Sequence, residues 1–105
     1  MGERTQNVHP GDIGATLERL WAVIGSRREA DSAASYTARL LQGDQDGVLK
    51  KVVEEACEVA LACKDRDHDH IRYEAADLVY HLLVALAYHG VALDELAGEL
   101  DARAR

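Results

Sequence analysis

Two short runs hold the residues best suited to chemistry. The first reads Lys50-Lys51-Val52-Val53-Glu54-Glu55-Ala56-Cys57-Glu58, and the second Glu74-Ala75-Ala76-Asp77-Leu78-Val79-Tyr80-His81. On a helix of about 100° per residue, with Lys51 at zero, Glu54 falls near −60°, Glu55 near +40° and Glu58 near −20°. One ammonium and three carboxylates therefore share a stripe roughly 100° wide. Val52, Ala56, Val59, Ala60 and Cys63 fill the opposite face. The second run repeats the device: counted from Glu74, Asp77 lies near −60° and His81 near −20°. Ala75, Val79, Leu82, Leu83 and Leu86 cover its other side.

A glutamate-rich stripe on its own is ordinarily a solvated face, with Lys51 and Glu55 as an i, i+4 pair. The second run weighs against that reading. From Ala75 to Ala87 its only strong polar groups besides Asp77 and His81 is Tyr80, and a helix apolar nearly all round is buried. A carboxylate inside such a helix is costly unless it is paired or metal-bound. If the two stripes face each other, four or five carboxylates converge without a matching number of cations. Their repulsion raises their pKa values unless a hard divalent ion absorbs the charge. Oxygen-only ligation suits Mg²⁺ or Mn²⁺, whose remaining coordination positions go to water and phosphate. The pattern thus points to a metal–phosphate centre.

Other candidates are weaker. His68-Asp69-His70 has metal-ligand chemistry but reads better as a polar turn between helices. His81 reads equally as a hydrogen-bonded core histidine or a phosphate ligand. Leu17 and Trp21 read as core. Cys57 and Cys63 point away from each other on one helix, so they are expected to be reduced core thiols. There is no phosphate-cradling Gly loop, no Ser/His/Asp signature and no CxxC. A di-iron carboxylate bundle needs ExxH pairs, and the third-position partners here are Glu58 and Asp77.

The elements that must position these residues are helices. Val48 to His89 contains neither Gly nor Pro, a length that strands would have to interrupt with turns. Leu17, Leu20, Trp21 and Ile24 mark a first helix ending near Gly25. A short segment from Ser35 to Gln42 is stopped by Gly43. Asp46 is expected to cap a long helix to about Asp65, and after the Asp67-His68-Asp69 turn a fourth runs from His70 to His89. A last, more polar segment covers Leu93 to Ala102. The two long helices predict an antiparallel hairpin in an all-α helical bundle. Residues 1–12 are expected to be a flexible tail and 13–105 a single domain.

The chain has 105 residues, with 12 Lys+Arg against 19 Asp+Glu and a formal net charge of −7. That balance argues against nucleic-acid or anionic-membrane partners, which need a positive field. No run approaches a membrane span or a signal-peptide core, so a soluble cytoplasmic protein is expected. A chain this small with so apolar a fourth helix is expected to cover it by dimerising.

The spacing Glu55-Ala-Cys-Glu58, then Glu74-Ala-Ala-Asp77 after fifteen intervening residues, resembles the paired ExxE…ExxD motif of the MazG-like all-α nucleotide pyrophosphohydrolases. Ser35-Tyr-Thr-Ala-Arg-Leu-Leu41, Lys51-Val-Val-Glu54-Glu55 and Asp77-Leu-Val-Tyr80-His81-Leu-Leu-Val84 are similar, within that group, to the phosphoribosyl-ATP pyrophosphatase family of histidine biosynthesis. The resemblance covers about residues 17–100. It implies Mg²⁺-dependent hydrolysis of phosphoribosyl-ATP to the AMP derivative and pyrophosphate by a cytoplasmic homodimer. It also implies the stand-alone form rather than one fused to a cyclohydrolase. On that reading Glu55, Glu58, Glu74 and Asp77 hold metal, and Glu54 or a neighbour such as Glu55 takes a proton from water. Lys51, Lys50, Arg39 and His81 contact the substrate. Val53 stands where many members carry Gly. The alternatives are a house-cleaning pyrophosphatase of non-canonical nucleotides and a non-catalytic helical interaction module.

Overall fold

In the computed structural model, residues 8–104 are described; the expected tail lies partly outside the described residues, which exclude 1–7 and 105. Five helices follow one another: α1 (Ile13–Ser26), α2 (Tyr36–Gln42), α3 (Gln45–Asp65), α4 (His68–Tyr88) and α5 (Leu93–Arg103), with no strand among the described residues. The first four starts are set by side-chain oxygens that accept the otherwise unpaired N–H groups of a first turn. Asp12 accepts from Ala15, Ser35 from Ala38, Asp44 from Asp46 and Asp67 from His70.

Two boundaries differ from expectation. Asp44, not Asp46, caps α3, and Asp46 lies inside the first turn, where its charge still favours the positive end of the helix. The expected polar turn is mostly helix. Asp67 is its cap, and His68 and Asp69 already belong to the first turn of α4. Only Arg66 and Asp67 connect α3 to α4. A two-residue connection between helices that pack on each other makes the hairpin antiparallel, as expected. Arg66 takes the left-handed conformation (φ 55°, ψ 32°) that lets the chain reverse so sharply. The far end of α4 closes in a Schellman arrangement: Val91 N–H donates to Leu86 O (2.9 Å) and Gly90 N–H to Ala87 O (3.2 Å), with Gly90 at φ 73°.

The hydrophobic core gathers at that far end. Ile24, Val48, Leu83, Val84, Ala85 and Ala87 are buried there, with Leu17, Leu20, Trp21, Leu40 and Leu41 packed against them. Burying each large aliphatic side chain stabilises the fold by roughly 1.5–3 kcal/mol. Hydrogen bonds tie the connection between α1 and α2 to the same end. Arg28 donates to Ala87 O (2.6 Å), satisfying a carbonyl of the last turn of α4. Gln42 donates to the carbonyls of Arg28 and Ala30, and the Tyr88 hydroxyl to Gly43 O. Gly43 caps the end of α2, and its lack of a side chain is required there because a β-carbon would sit 2.9 Å from Arg39 O.

The outer side of the hairpin is a correction. Cys63, expected in the core, is exposed, as are Ala56 and Ala60 of the face opposite the acidic stripe and Leu49 and Val53, the latter 70% exposed. Cys57 and Cys63 are free thiols at the surface, not in the core. Val79 and Leu82 of α4 are also partly exposed, so α4 is not covered all round by the described residues. The reason is that Glu55, with Val48 and Ala62, lies on the buried face of α3, so part of its apolar side is left outward.

An L-residue in the left-handed region costs about 1–2 kcal/mol, and glycine gives back part of that gain as chain entropy. Arg66→Gly should therefore stabilise the protein by about 0.5–1 kcal/mol. In thermal unfolding this reads as a rise of some 2–6 °C, whereas Arg66→Val should lower the midpoint.

Candidate functional site

The site grows out of the register of the hairpin. Glu58 lies eight residues before Arg66 and Glu74 eight after it, while Glu55 and Asp77 lie eleven on either side. At 1.5 Å per residue each pair sits at about the same height above the turn. The two acidic stripes accordingly face each other. Glu55, Glu74 and Asp77 each offer a carboxylate oxygen within 4.8 Å of the others'. Glu58 and Glu74 bring a carboxylate oxygen each within 4.8 Å of the other, beside His70. Glu74 is 3% exposed and Glu55 7%. The solvated-face reading of these stripes is excluded by that burial.

Electrostatics follow from the packing. Burial, then the neighbouring carboxyl of Glu58 and the charge of Glu55, push the Glu74 carboxyl above its ordinary 4.5; His70 acts in the opposite direction. Lys51 stands at the edge of the cluster, its Nζ 3.4 Å from Glu55 Oε1 and 3.5 Å from Glu54 Oε2. Burial alone would lower its pKa, but the Glu55 hydrogen bond and the nearby Tyr36, Glu55 and Glu54 raise it, so the ammonium is held charged. Glu54 is more exposed and also reaches Lys50 (3.8 Å), whose side chain is largely in solvent.

A second layer holds α2 against this end of α4. His81 is buried, and its Nδ1–H donates to Asp77 O (2.8 Å). In the neutral ring Nε2 then accepts from the Tyr36 hydroxyl (2.9 Å). Thr37 and Tyr80 are joined by their hydroxyls. Burial, with the carboxylates of Asp77 and Glu55 contributing, raises the Tyr36 phenol above its usual range despite Lys51. Arg39 stacks 5.6 Å from the Tyr36 ring centre and donates to Ser32 O, placing it behind Tyr36 rather than among the carboxylates. Alongside Asp77 opens a cleft of about 290 Å³ lined by Val8, Asp69, Arg72, Tyr73 and Ala76.

Of the residues singled out in the sequence, Glu55, Glu58, Glu74 and Asp77 converge, with Lys51 and Glu54 at the rim. Lys50 and Arg39 lie further out. His81 has both ring nitrogens engaged, so its geometry is that of the hydrogen-bonded core histidine. One residue was misread. His70, taken for part of a polar turn, is buried with its Nε2 3.5 Å from Glu74 Oε2. It lies only about 40° from Glu74 on the helical wheel, so extending the stripe by one turn exposes the signal. Oxygen donors this dense, buried and short of cations are a donor set fit for a divalent metal, and His70 Nε2, buried without a hydrogen-bond partner, supports the fit.

An all-α hairpin with a buried acidic seam defines a helical enzyme with a metal-ready centre. Residues 17–104 match the phosphoribosyl-ATP pyrophosphohydrolase family, and the chain belongs to it. It is 47% identical over 87 residues to a phosphoribosyl-ATP pyrophosphatase of Nitrosomonas eutropha, covering 83% of this chain and 74% of the relative. The corresponding protein of Methylibium petroleiphilum is 51% identical over 88 residues, covering 84% and 73%. The histidine biosynthesis bifunctional protein HisIE of Nostoc is 45% identical over 96 residues, covering 91% of this chain but 43% of the relative. The chain thus spans about three quarters of the first two and less than half of the third.

Over pH values between 4.5 and the raised pKa of Glu74, the folded chain keeps a proton that the unfolded chain has lost. Stability therefore falls as pH rises through that window. In chelator-treated protein, the melting temperature of the wild type relative to Glu74→Gln should decline with rising pH there. A difference that stays flat or grows would contradict the buried, raised carboxyl.

Proposed function

We propose that the protein hydrolyses phosphoribosyl-ATP to phosphoribosyl-AMP and pyrophosphate with Mg²⁺, the second step of histidine biosynthesis, in the cytoplasm. The observation that carries this reading is the convergence of Glu55, Glu58, Glu74 and Asp77 across the hairpin, in a chain of this family. Those four carboxylates would hold Mg²⁺; Mn²⁺ has the same donor preferences. When bound, the ion offsets charge on the phosphate oxygens and on the leaving pyrophosphate.

The chain's own residues supply the rest. Lys51, kept charged by Glu55 and Glu54, contacts phosphate as the substrate enters, with Lys50 giving a longer-range cation from the rim. Glu54, more exposed than Glu55, accepts the proton of the attacking water, and Glu55 orients Lys51. His81 fixes Tyr36 and the backbone of Asp77, with Arg39 stacked on the far side of that ring. The cleft beside Asp77 is at the lower end of ligand-site volumes, suited to one part of the substrate.

Glu55→Gln and Asp77→Asn should each cut Mg²⁺-dependent pyrophosphate release from phosphoribosyl-ATP by about a hundredfold or more, with helicity unchanged. Near wild-type turnover at saturating metal in both would sink the assignment, and preference for a free nucleoside triphosphate would point to a different substrate.

The apolar outer side of the hairpin supports a homodimer. Leu49, Val53, Ala56 and Ala60 face outward from α3, and Val79 and Leu82 are partly exposed on α4. Single chains rarely leave so much contiguous apolar surface in water. Sedimentation should give twice the 11.5 kDa chain mass, and Val53→Asp should shift the population toward the monomer.

A further inference from the structure

His70 has no part in the mechanism above, yet it is buried beside the acidic seam with a ring nitrogen unsatisfied. It projects from the first turn of α4, and its side chain is 9% exposed. Its Nε2 is buried without a hydrogen-bond partner. It stands 3.5 Å from Glu74 Oε2, outside hydrogen-bond geometry, and a buried polar atom left in that state marks a place for a ligand. The nitrogen is aimed into the acidic seam. Glu58, His70 and Glu74 each offer one donor atom within 4.8 Å of the others. Glu74 also belongs to the trio it forms with Glu55 and Asp77, and a carboxylate has two oxygens with which to serve two cations.

We propose that Glu58, His70 and Glu74 form a second cation position that takes a first-row transition ion such as Zn²⁺ through His70 Nε2. The inference rests on the Mg²⁺ reading of the proposed function and narrows that ion to the Glu55–Glu74–Asp77 trio, which leaves Glu58 to the second position. Chemistry separates the two. Imidazole is a good donor for Zn²⁺ and its neighbours in the first transition row, whereas Mg²⁺ prefers oxygen throughout. Two cations sharing Glu74 would neutralise all four carboxylates of the seam, which one divalent ion does not.

The test is a titration of the intact protein with Zn²⁺ and separately with Mg²⁺. Long-range ¹H–¹⁵N spectra of the histidine rings and calorimetry provide the readouts. Stoichiometric Zn²⁺ should shift His70 Nε2, and Mg²⁺ should leave it in place. His70→Gln should weaken Zn²⁺ binding by about ten- to a hundredfold and change Mg²⁺ affinity less than about twofold. An unmoved His70 Nε2 at one equivalent of Zn²⁺ overturns the proposal; this wild-type measurement decides even if the variant fails to fold. Equal losses of Zn²⁺ and Mg²⁺ affinity in His70→Gln also overturn it, because His70 would then only support packing. Zn²⁺ bound through His70 with no Mg²⁺ binding at all would uphold this position and defeat the Mg²⁺ reading instead.

Discussion

Glu58 and Glu74 meet carboxyl to carboxyl between two helices, with Glu55 and Asp77 close by and Lys51 at the edge. Carboxylates packed this way repel, and low solvent access makes the repulsion stronger than on a surface. Everything else in the fold is arranged so that this seam can exist. The hydrophobic core is displaced to the far end of the hairpin, around Val48 and Val84. There α1 and α2 supply the packing that the acidic half of the seam does not. The hydrogen bonds of Arg28 and Tyr88 bind those shorter helices and their connection to the same end.

The seam also explains why the outside of the hairpin is apolar. A helix has one face toward its partner, and α3 has used that face for carboxylates. Several of its aliphatic residues, Leu49, Val53 and Leu61 among them, are left for the opposite side, where none of the described residues covers them. Catalytic charge and an association surface are, in this helix, two sides of a single choice of rotation.

Much of this was legible in the residues themselves. The absence of Gly and Pro from Val48 to His89 required long helices, and the i, i+3 pairs Glu55/Glu58 and Glu74/Asp77 required stripes. Whether those stripes face each other was left open by the pattern, and the two-residue turn with its register around Arg66 settles it. Periodicity does not say which of two faces is covered, so the exposure of Ala56, Ala60 and Cys63 was hidden. Local capping chemistry misled twice. Asp44 and Asp46 are both competent caps, and only the backbone conformation distinguishes them. At the other boundary, a His-Asp-His run looks like solvated connection when its preceding Asp67 has already started the helix. His70 was lost in that run although its position relative to Glu74 placed it on the acidic face.

The two-residue connection at Arg66 and Asp67 gives the hairpin a fixed phase. Glu58 and Glu74, and Glu55 and Asp77, are equidistant from Arg66 along the chain, so the pairing of donors is counted out from the turn. One residue added to either helix next to that turn would rotate its carboxylates by about 100° and slide them about 1.5 Å. Glu74 would leave the seam although every side chain of the site remained in the sequence. Length at the turn is therefore as much a part of the site as any of its acids. Drift in this lineage should tolerate substitutions at Arg66 far better than insertions or deletions beside it.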